Sequence, residues 1–557
     1  MNFFEIKSHD LAARITKLKT NHGTITTPTI LPVINPKAQV IPASEMKEFG
    51  VEAVITNAYI LWKDLREEAL DKGVHDLIGF NGPVMTDSGA YQLMEYGEIS
   101  VSNREVIDFQ KKIGVDVGVI LDVPTSSSDE EAVKASVAET ITRAKEAKQW
   151  ADDSLLWAGP VQGGTNLKLL KKSAMVMDSL GYDILPIGSV VPLLVKYDFA
   201  SVVRMIKTVR ETTEKPLHLF GAGHPMFFSF AVALGIDLFD SAAYALYAKE
   251  GRYLTPLGTK HLSELKELPC SCPVCSNTPL KEMDEEKLAR HNLFVTMQEI
   301  RTVRQAIREG ELFDLLCQRA ASHPSLYKAM KQLVKYKDFF DKRDPITKKH
   351  FFYSSEFSKH RVEVIRVKER LSRIKSKQKQ DIGLFKQVPI TLTECYPFTQ
   401  YVDGEERKLK KAPNGFEKIR DASLYWFGVN LFKPTDTVKV SRSTGKIRAV
   451  YRKGELLAVF RASDFMIMLH AASRDLHEKT RPPEHRVIVR KDVAEFIKQG
   501  KSVFAKHVIN CGNIVPGQQV LVVTEDDELL ASGDALLNSS EMLAMKKGPA
   551  VSVRWHA

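Results

Sequence analysis

The chain has 557 residues, of which 44% are hydrophobic and 27% are charged, and its formal net charge is +10. This length exceeds what one hydrophobic core usually organises, so we expect one large domain and smaller ones. No apolar run approaches the roughly 20 residues of a membrane span, and the N-terminus lacks the apolar core and cleavage site of a secretory signal. These features exclude a membrane protein, predict a cytoplasmic location and favour a polyanionic partner.

Short β-branched runs alternate with amphipathic segments between residues 50 and 241. An earlier extended stretch, 25–34, is a possible eighth strand. Such repeated strand-then-helix units favour a (β/α)8 barrel over a doubly wound sheet. No G-x-G-x-x-G fingerprint follows the first strand, which also disfavours a dinucleotide-binding fold. The seven predicted strands are 53–61, 83–89, 117–124, 155–164, 183–189, 216–223 and 234–241.

Most of these runs end on polar residues or glycine. In a barrel such ends converge on the C-terminal face, where active sites of this fold lie. The alternative is that they only form tight turns and helix caps. The residues concerned are Asp87-Ser88-Gly89, Asp122, Gln162-Gly163-Gly164, Gly188-Ser189, Gly221-Ala222-Gly223 and Asp240-Ser241.

Three carboxylates at these ends, Asp87, Asp122 and Asp240, are candidates for a hydrolytic pair, a divalent-metal site or base recognition. Asp237 lies three positions before Asp240. Because side chains alternate across a strand, residues three apart face opposite sides. Asp237 and Asp240 therefore cannot act as a dyad, and we predict a structural role for Asp237 and a partner from another strand for Asp240.

Two aromatic residues, Tyr91 and Phe220, flank strand ends. Either they belong to the core, or they face the pocket and sandwich a flat heterocycle.

Three of the six cysteines, Cys270, Cys272 and Cys275, follow one another at C-x-C-x2-C spacing. Thiols this close can share one tetrahedral ion if a fourth ligand is supplied. The nearest histidine is His291, sixteen residues after Cys275. Three thiolates and an imidazole suit Zn2+ and leave no open position, so we predict a structural zinc site. The alternative is free thiols without a metal.

The second half of the chain carries fewer motifs. Between Arg361 and Lys379, eight lysines and arginines stand against two glutamates, which indicates either a solvated helix face or a phosphate contact. Residues 377–387 have the composition of a linker, and the TEDDEL turn near the C-terminus predicts a hairpin. The predicted domains are 1–340 with a zinc insertion at about 268–295, a basic helical or linker region 341–388, an α+β domain 389–483 and a β-rich domain 484–557.

Six stretches carry specific motifs: VMTDSGAYQLM (84–94), GPVQGG (159–164), PIGSVVPLL (186–194), LFGAGHP (219–225), LFDSAAYALYAKEGRYLT (238–255) and CSCPVCS with HN at 291–292. Together they resemble the tRNA-guanine transglycosylases, and most closely their archaeal, archaeosine-forming branch. The resemblance covers about residues 1–340, and 484–557 is similar to a PUA domain. It implies a TIM barrel with an embedded zinc site, small α+β domains and a C-terminal PUA domain.

The resemblance also implies residue roles. Asp240 matches the nucleophile that attacks C1′ of the ribose, and Asp87 matches the general acid/base. In the base site a carboxylate and an amide read the guanine edge, backbone groups contact O6 and the 7-substituent, and two aromatic rings stack on the base. These substrate positions are Ser88, Tyr91, Asp122, Gln162, Gly188, Ser189, Val190 and Phe220.

The implied activity is exchange of guanine 15 in the D-arm of tRNA for 7-cyano-7-deazaguanine (preQ0) through a covalent Asp-ribosyl intermediate. Structural Zn2+ is the implied cofactor, in a loop to His291 shorter than is usual in the family. The implied partners are tRNA, held by the PUA module and the basic segment, guanine and preQ0 as small-molecule substrates, and a second copy of the chain. Two alternatives are a paralogue that converts the inserted nitrile to archaeosine and a non-catalytic tRNA-binding protein.

Overall fold

The chain begins with a small antiparallel sheet. A computed structural model describes residues 3–89, 101–125 and 129–557. The sheet consists of β1 (Phe4–Asp10), β2 (Ala13–Thr20) and β3 (Gly23–Thr27), paired in that order. The extended stretch 25–34 is therefore split, because its first part completes this sheet and its second part forms a separate parallel strand.

Eight parallel strands then form a closed barrel, as the sequence predicts. They pair in two sheets of four. Parallel bridges join the sheets, Val33 to Ile55 on one side and Ala158 to Ile184 on the other. The strands are β4 (Thr29–Pro32), β5 (Val54–Asn57), β6 (Val84–Asp87), β7 (Val117–Val119), β8 (Leu156–Ala158), β9 (Leu185–Ile187), β10 (Leu217–Leu219) and β11 (Leu238–Ser241).

Apolar side chains alternate between the barrel interior and the layer beneath the helices. Ile55, Met85 and Leu238 share an inner cluster, whereas Leu219 and Phe239 belong to the outer one. This period-two alternation leaves strand ends free to carry polar groups inward. Among the described residues, the helices between the strands are Ala58–Asp64, Arg66–Ile78, Asn103–Lys112, Glu130–Ala147, Leu167–Ser179, Val191–Val195, Phe199–Arg210 and Phe228–Ala233.

The sheet β1–β3 closes the N-terminal end of the barrel. The backbone N–H of His22 donates to Asp116 just before β7, and that of Thr26 donates to Glu52 just before β5. Phe4 joins the inner apolar cluster. The opposite, C-terminal end is left to the polar strand ends.

The barrel is followed by the cysteine-rich region and further helices. A hairpin of β12 (Arg252–Thr255) and β13 (Gly258–His261) precedes the cysteines. The helices of this region are Ala243–Lys249 before the hairpin and Pro273–Asn277, Glu285–Glu309, Leu312–Ala320, Pro324–Leu333 and Lys337–Asp341 after it.

Residues 377–387 are not a linker. They form β15 (Lys379–Asp381) and the start of β16 (Gln387–Pro389), and Ile382 and Phe385 are buried in a second core. That core is assembled from a four-stranded sheet and neighbouring helices. Its other elements are β14 (Phe351–Phe352), Val362–Ser372, β17 (Tyr401–Val402), Phe416–Phe427, β18 (Thr437–Val440), β19 (Ile447–Arg452), β20 (Glu455–Phe460), β21 (Ile467–Leu469) and Ala472–Lys479.

The basic segment 361–379 is only partly solvated, so neither sequence interpretation fits all of it. Arg361, Arg366 and Arg370 are buried. Arg361 binds Asp314 and Glu363, Arg366 binds Asp341, and Arg370 lies over the rings of Tyr425 and Trp426. Each of these buried cations has a carboxylate or aromatic partner, as burial of a charge requires. The exposed basic residues of the segment are Lys368, Arg373, Lys375, Lys377 and Lys379.

The C-terminal module contains a six-stranded sheet. Two of its strands, Gln519–Val523 and Leu529–Ala535, form the predicted TEDDEL hairpin, with Val523 opposite Leu529. In the described part of the chain no helix is both long and apolar enough to cross a bilayer. The elements are β22 (Arg486–Val489), Ala494–Lys498, β23 (Val503–Phe504), β24 (Val508–Cys511), β25 (Gln519–Val523), β26 (Leu529–Ala535), Ser539–Ala544 and β27 (Pro549–His556).

Candidate active site

Asp240 lies at the C-terminal end of β11 with its side chain 14% exposed. Its Oδ1 is 2.9 Å from Nε2 of His218 and accepts a 2.9 Å hydrogen bond from the backbone N–H of Gly221. Gly221 has φ 66°, and a Cβ there would lie 2.5 Å from Cγ2 of Val191. Glycine is therefore needed for this N–H to reach the carboxylate.

Asp87 ends β6, and its carboxylate accepts a 3.0 Å hydrogen bond from the backbone N–H of Gly89. Burial, with a smaller contribution from the negative charges of Asp240 and Asp122, raises the pKa of Asp87 to about 7, against the opposing hydrogen bonds from Gly89 and Asn57. An acid with a pKa near neutrality can both donate and accept a proton at physiological pH. This strand end therefore carries a group suited to proton transfer.

Asp122 and Gln162 form the centre of a buried polar network. Nε2 of Gln162 donates to Asp122 Oδ2 at 2.6 Å, and the hydroxyl of Ser88 donates to Oδ1 at 3.3 Å. The hydroxyl of Ser189 donates to Gln162 Oε1 at 2.7 Å. Burial raises the pKa of Asp122, against the hydrogen bonds from Gln162 and Ser88. The network fixes a carboxylate and an amide side by side, an arrangement that can read donor and acceptor groups on a base edge.

Gly188, Ser189 and Val190 line the same network at the end of β9. A Cβ on Gly188 would lie 2.3 Å from Nε2 of Gln162, so only glycine allows this approach. The Gly188 N–H already donates to the carbonyl of Val161, and the Val190 carbonyl accepts from the helix that follows. Ser189 has φ 57°, a strained conformation for a non-glycine residue. Its hydroxyl is thereby directed to Gln162.

Of the two aromatic candidates, Phe220 is partly exposed and its ring packs edge-on against His218, with 4.8 Å between centroids. It borders both the inner cluster and the site. Tyr91 lies outside the residues that the structure describes.

The predicted metal ligands Cys270, Cys272, Cys275 and His291 converge, with one potential ligand atom from each residue within 4.8 Å of the others. Nδ1 of His291 is 3.2 Å from Sγ of Cys275 and 3.5 Å from Sγ of Cys272. Nε2 of His291 donates to the carbonyl of Leu254 at 3.0 Å, which leaves Nδ1 free as a ligand. Three thiols and an oriented imidazole can hold one metal ion, and the short loop does not prevent it.

Sequence reasoning missed two polar residues of the site, His218 and Asn57. Asn57 ends β5 beside β6 and contributes a hydrogen bond to Asp87. His218 stands between Leu217 and Leu219 in a buried strand. The sequence feature that could have indicated His218 is a polar residue within an otherwise apolar strand, at a position whose side chain faces the barrel interior.

The matches with known proteins fall separately on the barrel, on part of the second core and on the C-terminal module. Relatives named tRNA-guanine(15) transglycosylase from Thermococcus onnurineus, Thermococcus kodakarensis and Pyrococcus furiosus are 45%, 44% and 44% identical over 99% of this chain, and the match covers 98%, 98% and 97% of their own lengths. A family model described as Queuine tRNA-ribosyltransferase matches residues 10–325. The chain belongs to the tRNA-guanine transglycosylase family. Models of the PUA domain and of the patch-forming domain C2 of tRNA-guanine transglycosylase match residues 485–556 and 417–483.

Membership of the tRNA-guanine transglycosylases makes this chain a transferase that modifies tRNA, so the predicted recognition and enzyme class are confirmed. The PUA domain and the catalytic family both imply that tRNA is bound.

Proposed function

We propose that this transglycosylase exchanges guanine 15 of archaeal tRNA for preQ0 by two displacements at C1′ of the ribose, with Asp240 as nucleophile and Asp87 as general acid/base. The observation that carries the proposal is that a partly exposed carboxylate on β11, Asp240, lies near a carboxyl of pKa about 7 on β6, Asp87. Cleavage of a glycosidic bond needs an anion on one face of the sugar and a proton donor at the leaving group. These two strand ends supply both.

In the first displacement the Asp240 carboxylate bonds to C1′ as the bond to guanine breaks. Protonated Asp87 gives its proton to the departing base. The anion left on Asp87 then takes the proton of incoming preQ0, which attacks C1′ and releases Asp240. A covalent intermediate divides a difficult exchange into two easier steps.

Recognition of the base is assigned to the network of Asp122 and Gln162. The carboxylate would accept from N1–H and the 2-amino group of a guanine-like base, and the amide would reach O6. Ser88 and Ser189 hold these two side chains through their hydroxyls. The backbone of Gly188–Val190 would contact O6 and the 7-substituent, and Phe220 and Tyr91 would stack on the ring.

The cluster of three cysteines and His291 would hold Zn2+, whose role is structural because all four positions are taken by protein ligands. It would tie the loop after β13 to the helix Glu285–Glu309. We also propose that the enzyme acts as a homodimer in the cytoplasm, where its tRNA substrate lies. Extruding a base from the folded tRNA core costs free energy. Contacts of tRNA with the PUA module and with the exposed lysines are proposed to offset this cost.

The test is exchange of radiolabelled guanine into an unmodified archaeal tRNA transcript, followed by a chase with preQ0. Wild-type enzyme should incorporate the label and lose it on the chase, whereas Asp240→Asn should do neither and should form no tRNA adduct on a denaturing gel. A transcript with adenine at position 15 serves as the matched control. Equal incorporation by Asp240→Asn would refute the assignment of Asp240 as nucleophile. No exchange by the wild type would favour the paralogue that converts the inserted nitrile, or a non-catalytic tRNA-binding protein.

A further inference from the structure

His218 and Asp240 meet inside the barrel because of strand register. His218 is fully buried at the centre of β10, between Leu217 and Leu219 of the outer cluster. Alternation along the strand therefore turns the imidazole inward. His218 pairs with Leu238 of β11, which faces the interior, as does Asp240 two positions later. The imidazole is thereby held beside the carboxylate on the neighbouring strand.

The hydrogen bonds determine which imidazole nitrogen carries the proton. An ionised carboxylate only accepts hydrogen bonds, so the 2.9 Å contact of His218 Nε2 with Asp240 Oδ1 requires the proton on Nε2. Within the described ranges, Nδ1 of His218 has no hydrogen-bond partner. A proton on Nδ1 would be a buried donor without an acceptor, which is strongly disfavoured. The ring therefore donates to Asp240 through Nε2.

Both donors to Asp240 reach the same oxygen. The Nε2–H of His218 and the N–H of Gly221 each lie 2.9 Å from Oδ1. No residue in the described part of the chain donates a hydrogen bond to Oδ2. We propose that His218 is the positioning residue of Asp240, which fixes Oδ1 and presents Oδ2 to C1′ of the ribose; this rests on the proposed function.

The arrangement suits both displacements. As Oδ2 forms its bond to C1′, the electron pair of the bond to guanine leaves with the base, which takes the proton of Asp87. Oδ1 becomes the carbonyl oxygen of the ribosyl ester and still accepts from His218 and Gly221. When preQ0 attacks, the ester bond breaks and its electron pair returns to the carboxylate. His218 neither gains nor loses a proton, so it acts by orientation alone.

The test compares three substitutions at His218. His218→Phe removes the hydrogen-bond donor but keeps a ring. His218→Gln places an amide N–H about where Nε2 lies, whereas the shorter side chain of His218→Asn does not bring its N–H within reach of Asp240. In single-turnover adduct formation on a guanine-15 transcript, we expect His218→Phe to be slower by on the order of 100-fold. Binding of the tRNA should be unchanged, His218→Gln should recover most of the rate, and His218→Asn should not.

The matched control is another histidine–aspartate pair at the opposite end of the barrel. Nε2 of His75 lies 3.1 Å from Oδ2 of Asp116, so His75→Phe should lower thermal stability while the folded enzyme keeps its rate of adduct formation. A wild-type rate in His218→Phe, or equal rates in His218→Gln and His218→Asn, would overturn the positioning role. The second comparison decides the question even if His218→Phe does not fold. A wild type that forms no adduct would instead overturn the proposed function and this role with it.

Discussion

Asp237 and Asp240 stand three positions apart, yet their carboxylates lie on opposite sides of the barrel wall. Asp237 is buried and binds the guanidinium groups of Arg14 and Arg210, at 3.0 and 3.2 Å. It also accepts from the backbone N–H of Leu217. Asp240 points to the barrel mouth and is held by His218 and Gly221. The period of the strand thus separates a carboxylate buried in an ion-pair cluster from the proposed nucleophile.

Asp237→Asn should destabilise the enzyme without altering its chemistry. Removing one partner of a buried ion pair leaves uncompensated charge on Arg14 and Arg210, at a cost of about 3–5 kcal/mol. The free energy of unfolding, measured by denaturant titration, should fall by that order, while adduct formation per folded molecule should stay near wild type. A loss of adduct formation at full stability would contradict this assignment. Asp240→Asn should give the reverse pattern.

Asp87→Asn should abolish exchange and raise stability above neutral pH. The folded-state pKa of Asp87 is raised to about 7 from the usual value of 3.8, so the protonated carboxyl favours the folded state. This contribution to stability is fully present below the unfolded pKa and is lost as pH rises from there through 7, where the buried carboxyl ionises. The asparagine of the variant does not ionise and is not destabilised in this way. Its excess free energy of unfolding over wild type should shrink by roughly 2–3 kcal/mol from pH 8 to pH 5. A pH-independent difference in denaturant titrations would contradict the raised pKa.

Adduct formation by the wild type should also decline as pH rises through about 7, because Asp87 must then give up the proton that the departing guanine needs. Single-turnover rates between pH 5.5 and 9 measure this. A flat profile would show that another group supplies the proton.

Asp122→Asn should weaken binding of the base more than it affects the chemical step. It replaces a charged acceptor by an amide that cannot accept from both N1–H and the 2-amino group, a loss of about 1.5–3 kcal/mol. The KM for guanine should rise by roughly 10- to 100-fold, with a smaller change in kcat. Asp183→Asn is the matched control, since this carboxylate lies before β9 at the opposite end of the barrel, where it accepts a hydrogen bond from the backbone N–H of Trp157, and its loss should change KM little. An unchanged KM in Asp122→Asn would remove this residue from base recognition.

Cys272→Ser should abolish stoichiometric zinc and lower the melting temperature. The cluster brings three thiols and His291 together, and loss of one ligand opens the site to water and exchange. Metal content by mass spectrometry and a thermal melt measure the two effects. Cys511→Ser, outside the cluster, should retain zinc. Full zinc content in Cys272→Ser would contradict the assignment.

The exposed lysines of the basic segment should contribute to tRNA binding by neutralising phosphates. Replacing Lys375, Lys377 and Lys379 by glutamate should weaken binding and flatten its dependence on salt, by about 0.7–0.9 in the log–log slope for each phosphate that is no longer neutralised. Affinity measured across a series of salt concentrations checks this. Lys72→Glu, on an outer barrel helix, should leave the slope unchanged. An unaltered slope in the triple variant would place these lysines away from the bound tRNA.

The barrel, the metal cluster and the polar strand ends could all be predicted from the amino-acid sequence. Strand parity separates Asp237 from Asp240, and the cysteine spacing already brings three thiols within reach of one ion, because both are local consequences of backbone geometry. The proposed roles of Asp87, Asp122 and Gln162 rest on the resemblance to family motifs and not on periodicity. Neither source indicated His218, whose neighbours make it look like one more residue of an apolar strand.

Which polar groups share an environment depends on contacts between strands that are distant in sequence. The raised pKa of Asp87 depends on burial and on carboxylates from β11 and the end of β7, and His218 reaches Asp240 only through the pairing of β10 with β11. The basic segment is likewise divided into buried and exposed cations by the fold. Arg361, Arg366 and Arg370 are buried in a second core, whereas the neighbouring lysines are exposed to solvent. Charge counts along the chain cannot make that division, because desolvation and partner geometry arise from contacts between segments distant in sequence.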